Sequence, residues 1–179
     1  MTDITTRNVY LKDYKISPFL IDEINLDIDL YDDKTIVLAV LQIRRNPDSK
    51  EKINYLKLDG EKLLLKGIKL NGKALATNAY ETNENSLIIK QVPEIFVLET
   101  VVKIAPHNNT ELVGLYKSRN LYCTQCEAEG FRRITYYLDR PDVMAKFTTI
   151  IRANEQQYPI LLANGNLVAH SKLANGRHL

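Results

Sequence analysis

The densest group of chemically reactive side chains lies in one short segment, Cys123-Thr124-Gln125-Cys126-Glu127. Two cysteines separated by two residues are typical of a redox pair or of half a zinc site. A tetrahedral zinc ion needs two further ligands, and the chain has no second Cys-x-x-Cys and no His-x-His. A c-type haem needs a histidine directly after the second cysteine, where Glu127 stands. A redox or metal role for Cys123 and Cys126 therefore stays an alternative, which a disulfide or a bound metal would support.

Spacing within the same segment favours a different kind of site. If residues 121–127 are extended, the two-residue period of a strand places Cys123, Gln125 and Glu127 on one face and Cys126 on the other. We expect the Glu127 carboxylate to be partly desolvated, and such a carboxylate needs a cation or hydrogen-bond donors. That cation is either an arginine of the following segment (Arg132, Arg133 or Arg140) or the ammonium group of a ligand.

The rest of the sequence lacks the signatures of a complete catalytic site. The three histidines, His107, His170 and His178, include no pair at chelating spacing, and no His-Glu-x-x-His occurs. Gly-x-Ser-x-Gly and the glycine motifs that bind phosphates or dinucleotides are also absent. We therefore predict no catalytic residue and no metal site within this chain.

Composition excludes several classes of partner. The 179 residues carry 24 Lys+Arg and 22 Asp+Glu, and a net charge of +2 gives no broad basic field for nucleic acid. The mixed basic and aromatic residues of 131–137 are interpreted as core tyrosines with paired arginines. No apolar run reaches the ~20 residues that span a bilayer, so no membrane contact is predicted. Two cysteines are too few to staple a secreted domain of this size, and we therefore expect a cytoplasmic protein.

Sequence patterning predicts the strands that position this segment. Residues 24–30 alternate strictly between apolar and polar types, and the β-branched run 35–44 follows a polar turn, so 24–44 is predicted to be a hairpin. Asn71-Gly72 predicts a second hairpin, because this pair is typical of a type I′ turn. The turn outweighs a competing helical spacing of four lysines, which are Lys62, Lys66, Lys69 and Lys73. Further strands are expected at 87–89, 96–104 and 147–152.

The C-terminal third carries three further signals. Asp139-Arg140-Pro141-Asp142 predicts the start of a short helix through Ala145. Asn164-Gly165 predicts a hairpin of residues 158–163 with 167–170. Asn175-Gly176 predicts a turn whose second strand is missing, which suggests a chain cut from a larger protein. We predict one all-β domain over 1–179, a sandwich or curved antiparallel sheet with one or two short helical turns.

Three blocks of sequence resemble the N-terminal domain of the zinc aminopeptidase N family, most of all its long bacterial form. The blocks are Gly114-Leu115-Tyr116, the run from Cys123 to Arg132, and Asp139-Arg140-Pro141-Asp142-Val143. The N-terminal strand pattern and residues 158–166 are similar too, so the resemblance covers essentially the whole chain. It implies a saddle-like β-domain that caps a catalytic domain of the same polypeptide. By position, it implies that Gln125 lines the pocket for the first side chain of a peptide and that Glu127 binds its free α-amino group.

The resemblance also implies what this chain lacks. The family's zinc ligands, on a His-Glu-x-x-His helix with a downstream Glu, and its Gly-x-Met-Glu-Asn strand lie beyond residue 179. Zinc is then the cofactor of the full-length enzyme, its substrates are peptides with a free N-terminus, and the chain alone should be inactive. The alternative is a stand-alone β-sandwich that serves as a protein-interaction module. A reading frame that continues into His-Glu-x-x-His would favour the enzyme.

Overall fold

The computed structural model describes residues 10–179, which form twelve strands and five short 3₁₀ turns. The strands are β1 (Phe19–Tyr31), β2 (Lys34–Arg45), β3 (Leu56–Asp59), β4 (Leu64–Leu70), β5 (Lys73–Ala74), β6 (Tyr80–Thr82), β7 (Ser86–Ile89), β8 (Ile95–Ile104), β9 (Gly114–Ser118), β10 (Leu121–Gln125), β11 (Lys146–Asn154) and β12 (Arg177–His178). The 3₁₀ turns are Leu11–Asp13, Thr77–Ala79, Pro106–Asn108, Phe131–Arg133 and Ala174–Gly176. The predicted all-β class is confirmed. None of the described helical segments is long and apolar enough to cross a bilayer.

The largest unit is a seven-stranded sheet with the order β12-β11-β1-β2-β8-β4-β5. Its centre is the predicted hairpin of β1 and β2, in which Ile24 pairs with Leu41 and Ile28 with Val37. The alternation read from the sequence sets which face is buried, because Ile24, Leu26, Ile28 and Leu30 all lie in the core. The sheet is mixed, since β11 runs parallel to β1 after a long connection through the other sheets.

Two smaller sheets complete the domain. One has the order β3-β7-β6, and the other is the hairpin of β9 and β10. Leu56, Leu58, Leu87 and Ile89 of the three-stranded sheet belong to the same hydrophobic core as the central hairpin. An isolated bridge from Asp59 to Tyr137 ties β3 to the segment that follows β10. The three-stranded sheet therefore supports the region in which the candidate site lies.

The Asn71-Gly72 turn is confirmed, and the C-terminal third differs from its prediction. Asn71 and Gly72 have φ of 49° and 76° between β4 and β5, as a type I′ turn requires. The four lysines near this turn are solvent-exposed; three of them lie in strands as expected, whereas Lys62 precedes β4. No helix begins at Asp139, because its carboxylate accepts hydrogen bonds from Arg132 instead of capping the residues that follow it. Only a turn forms at Pro141 and Asp142, and β11 starts at Lys146.

The predicted hairpin around Asn164-Gly165 is also wrong. Residues 158–170 form no ladder, and Ile160, Leu162, Leu167 and Val168 are exposed. Residues 171–173 pair with 177–179 instead, through Ser171–Leu179 and Leu173–Arg177 backbone hydrogen bonds. The turn between them, with Asn175 at φ 59° and Gly176 at 67°, therefore has its second strand, contrary to the expectation of an unfinished hairpin.

Candidate functional site

A tight hairpin presents the candidate site at its open end. β9 and β10 pair over five positions, from Ser118–Leu121 to Gly114–Gln125. Arg119 takes the left-handed conformation that closes the short connection between them. Gln125 is thus the last residue of a paired strand, and its exposed side chain is carried by rigid backbone.

Glu127 lies in a turn directly after this strand. The extended segment ends at Gln125, so the predicted strand conformation of 121–127 is wrong for its last two residues. The Gly130 N–H donates to the Cys126 carbonyl at 2.7 Å and closes the turn. We call residues 126–130 the Glu127 turn. Glu127 is solvent-exposed in this chain, contrary to the expected partial desolvation.

The nearby arginines all have other partners. Arg132 Nε donates to Asp139 at 3.0 Å, and its Nη2 lies 3.5 Å from Glu129. Arg133 pairs with Glu61 at 3.0 Å and also with Glu111. Arg140 pairs with Asp142 at 2.7 Å. No ion pair or side-chain hydrogen bond joins Glu127 to another residue of the described range 10–179, so the structure does not bear out the arginine alternative among the two partners that the sequence left open.

These ion pairs perturb the groups that take part in them. Hydrogen bonds from Lys62 and Arg133 lower the pKa of the Glu111 carboxyl, and its hydrogen bond in turn raises the pKa of Arg133. A hydrogen bond from Arg140 lowers the pKa of Asp142. These shifts favour the charged forms of Glu111, Arg133 and Asp142. Within the described part of the chain, the carboxylate of this turn that is left without an ion pair belongs to Glu127.

Sequence patterning missed the acids that hold this region. Glu61, between β3 and β4, and Glu111, before β9, both bind Arg133, although they are 72 and 22 residues away from it in the chain. No local signal connects such distant positions. The sequence gives one indication that acidic partners are needed: Arg132 and Arg133 are adjacent in a segment that also contains core tyrosines.

No disulfide joins the two cysteines of the Cys-x-x-Cys. Both thiols are free and partly buried. Burial raises the pKa of the Cys126 thiol, and the charge of Asp139 adds to the effect, which disfavours the reactive thiolate. Within residues 10–179, no group of three or more His, Cys, Asp or Glu side chains is arranged to hold a metal ion.

We expect Cys126 to react slowly in the folded chain. In a Cys123→Ser variant, alkylation of Cys126 by iodoacetamide should be about tenfold slower than in the urea-unfolded chain, because burial hides the thiol and suppresses its thiolate. Mass spectrometry at timed intervals gives both rates. A reversible Cys123–Cys126 disulfide or stoichiometric zinc in the unsubstituted protein would instead support the redox or metal alternative.

The histidines have structural positions. His107 is exposed in the 3₁₀ turn Pro106–Asn108. His178 is buried, with Nε2 2.7 Å from the Tyr158 carbonyl oxygen and Nδ1 3.4 Å from His170 Nε2. His170 and His178 are eight residues apart, which is not a spacing typical of an interacting pair. The turn at 174–176 reverses the chain and brings the two side chains together.

The chain is similar to known peptidases over nearly its whole length. The Peptidase M1 N-terminal domain family matches residues 14–179. Aminopeptidase N of Escherichia coli (strain K12) is 47% identical over 169 residues, 94% of this chain and 19% of that protein. Aminopeptidase N of Caulobacter vibrioides is 44% identical over 174 residues, 97% of this chain and 20% of that protein.

Solved structures share the fold. The crystal structure of Legionella pneumophila aminopeptidase A in complex with aspartic acid superposes with a TM-score of 0.88 at 37% identity, covering 94% of this chain and 20% of that one. The M1 zinc metallopeptidase from Deinococcus radiodurans superposes with a TM-score of 0.73 at 14% identity over 92% of this chain and 38% of that one. This chain spans about a fifth of the length of the curated relatives it matches.

Proposed function

Because this chain belongs to the Peptidase M1 N-terminal domain family, we propose that it is the substrate-facing domain of a zinc aminopeptidase that removes N-terminal residues from peptides. The observation that carries the proposal is that the Glu127 carboxylate, just beyond the open end of the β9–β10 hairpin and two residues after Gln125, has no ion-pair partner among residues 10–179. The relatives from Escherichia coli and Caulobacter vibrioides are both aminopeptidase N, which supports the proposed activity. The alternative of a stand-alone interaction module has no comparable support.

An exopeptidase must distinguish a terminal α-ammonium from an internal amide. We assign this task to Glu127, whose carboxylate matches the ammonium in charge and in hydrogen bonding. Gln125 lies on the same hairpin and is assigned to the pocket for the first side chain. In the assembled enzyme, we expect the catalytic domain of the same polypeptide to cover the Glu127 turn and remove its water. A ligand without an ammonium then leaves the carboxylate buried and unpaired, which is strongly unfavourable.

The rigid hairpin determines where the amine is held. Five paired residues on each strand and the Gly130–Cys126 hydrogen bond leave the Glu127 turn few ways to move. A fixed carboxylate holds the N-terminus at a constant distance from the bond to be cleaved, and such positioning is a large part of catalysis. This domain would therefore select and orient the substrate.

The residues that the structure describes do not fit the zinc ion implied by the family. Between positions 10 and 179 there is no cluster of three candidate ligands, and no further ligand there supports the two cysteines of the Cys-x-x-Cys. We therefore propose that the zinc ligands lie outside residues 1–179, and we derive no catalytic step from this domain. We also propose that the protein acts in the cytoplasm in peptide catabolism, where its two thiols would stay reduced.

Substrates that differ only at the N-terminus test the proposed function. The longer enzyme should cleave leucyl-p-nitroanilide, and it should cleave the N-acetyl derivative at least about tenfold more slowly. Acetylation removes the positive charge that Glu127 is proposed to recognise. The 179-residue chain should cleave neither compound. Comparable turnover of both compounds by the longer enzyme would contradict amine recognition, and turnover by the 179-residue chain would contradict the assignment of catalysis to another domain.

A further inference from the structure

The Glu127 turn contains two carboxylates, and one arginine separates their roles. Glu127 and Glu129 are both exposed and lie two residues apart. Arg132 Nη2 lies 3.5 Å from a Glu129 carboxylate oxygen. No such contact joins Arg132 to Glu127. The positive charge next to the turn therefore compensates Glu129 and leaves Glu127 available.

The same arginine fixes the end of the turn to the body of the domain. Its side chain is only 16% exposed, and Asp139 is 8% exposed. The Asp139 carboxylate accepts hydrogen bonds from Arg132 Nε at 3.0 Å and from the Arg132 backbone N–H at 3.1 Å, while Arg132 Nη2 donates to the Asp139 carbonyl at 3.1 Å. Three contacts of this kind restrain both the side chain and the backbone of Arg132.

The restraint continues into the three-stranded sheet. The Asp139 backbone N–H donates to the Asp59 carboxylate at 3.2 Å, and the Glu61 N–H donates to the Arg132 carbonyl at 2.9 Å. These two hydrogen bonds connect Asp139 and Arg132 with residues at and just after the end of β3. Gly130, two residues before Arg132, closes the turn by its bond to Cys126.

We infer that Arg132 is a positioning residue for amine recognition: it holds the Glu127 turn against β3 and neutralises Glu129, so that Glu127 is the carboxylate of this turn that stays free for the substrate ammonium. This inference rests on the proposed function. Because Arg132 contacts neither Glu127 nor, by this assignment, the substrate, its effect must pass through the shape and charge of the turn.

The positional part is testable in the 179-residue chain itself. In Arg132→Ala, hydrogen exchange of the Gly130 amide measured by NMR should accelerate about tenfold relative to core amides of β2, because the turn loses its charge-assisted anchor. Arg140→Ala is the matched control, since Arg140 makes a similar ion pair with Asp142 outside the turn. Asp139→Asn provides a second variant that keeps the side-chain shape. Unchanged Gly130 exchange in both Arg132→Ala and Asp139→Asn would overturn the positional part.

The functional part needs the longer enzyme and a ligand pair that differs only in the amine. 4-Methylpentanamide is leucinamide without its α-amino group. The inhibition constant of 4-methylpentanamide divided by that of leucinamide therefore measures amine discrimination. Arg132→Ala should reduce this ratio about tenfold, whereas a general loss of structure would weaken both ligands equally. In a Glu127→Gln background, Arg132→Ala should change the ratio by less than about twofold, because the carboxylate that it positions is already gone.

The outcomes separate the two ideas. If Glu127→Gln leaves the ratio unchanged, the proposed function is wrong. If Glu127→Gln lowers the ratio and Arg132→Ala does not, only the role of Arg132 is wrong. If the two substitutions lower the ratio by independent factors, Arg132 acts by a route other than Glu127, and the inference is again overturned.

Discussion

In the longer enzyme, Glu127→Gln is expected to lower kcat/KM for peptides with a free N-terminus by about 10²–10³-fold, with zinc content unchanged. Glutamine keeps the size of the side chain and removes its charge. The substrate ammonium then enters a covered site without its counter-ion, which costs about 3–5 kcal/mol when the site is well desolvated. Steady-state kinetics with a dipeptide amide and zinc analysis of the purified variant measure the two quantities.

Glu129→Gln is the matched control for this effect. Glu129 lies in the same turn and is exposed, and its 3.5 Å contact with Arg132 is screened by water on the Glu129 side, so this pair contributes about 0–1 kcal/mol. We expect kcat/KM of this variant to stay within about twofold of the unsubstituted enzyme. If Glu127→Gln also stays within twofold, then the Glu127 assignment is wrong. If Glu127→Gln loses zinc, its kinetic defect does not report on amine recognition.

The parts of the fold that sequence predicted correctly depend on local rules. The β1–β2 hairpin follows from alternation, since Ile24, Leu26 and Ile28 reach the core only in one register. The Asn71-Gly72 turn follows from two residues that tolerate positive φ. In both cases the decisive interactions lie within a few residues of each other.

The errors share a cause at longer range. Asp139 has the residue type and sequence neighbours of a helix cap, but Arg132 uses its carboxylate and Asp59 uses its N–H. Tertiary hydrogen bonds thus override a local propensity. For the same reason, the sequence left open whether an arginine pairs with Glu127. In the structure, Glu61 and Glu111 occupy Arg133 from distant parts of the chain.

The second large effect is expected at Gly130, whose small size the Glu127 turn requires. Its φ of −95° is accessible to any residue, so conformational freedom is not the reason. A β-carbon at this position would lie 2.6 Å from the Gln125 carbonyl oxygen and 2.7 Å from the Cys126 α-carbon. Both neighbours are backbone atoms of the site itself. They can make room only if the end of β10 and the turn move apart.

Gly130→Ala should therefore displace the two residues assigned to substrate binding. We expect kcat/KM of the longer enzyme to fall about 10²-fold, as misplacements near 1 Å do, and the free energy of unfolding of the 179-residue chain to fall by about 1–3 kcal/mol. Gly67→Ala is the control, because its added β-carbon meets only Val101, at 3.8 Å, and should change the unfolding free energy by less than about 0.5 kcal/mol. Urea denaturation and steady-state kinetics give both results. A Gly130→Ala enzyme with normal kinetics would show that the turn does not need its present geometry, and the proposed placement of Glu127 would then be wrong.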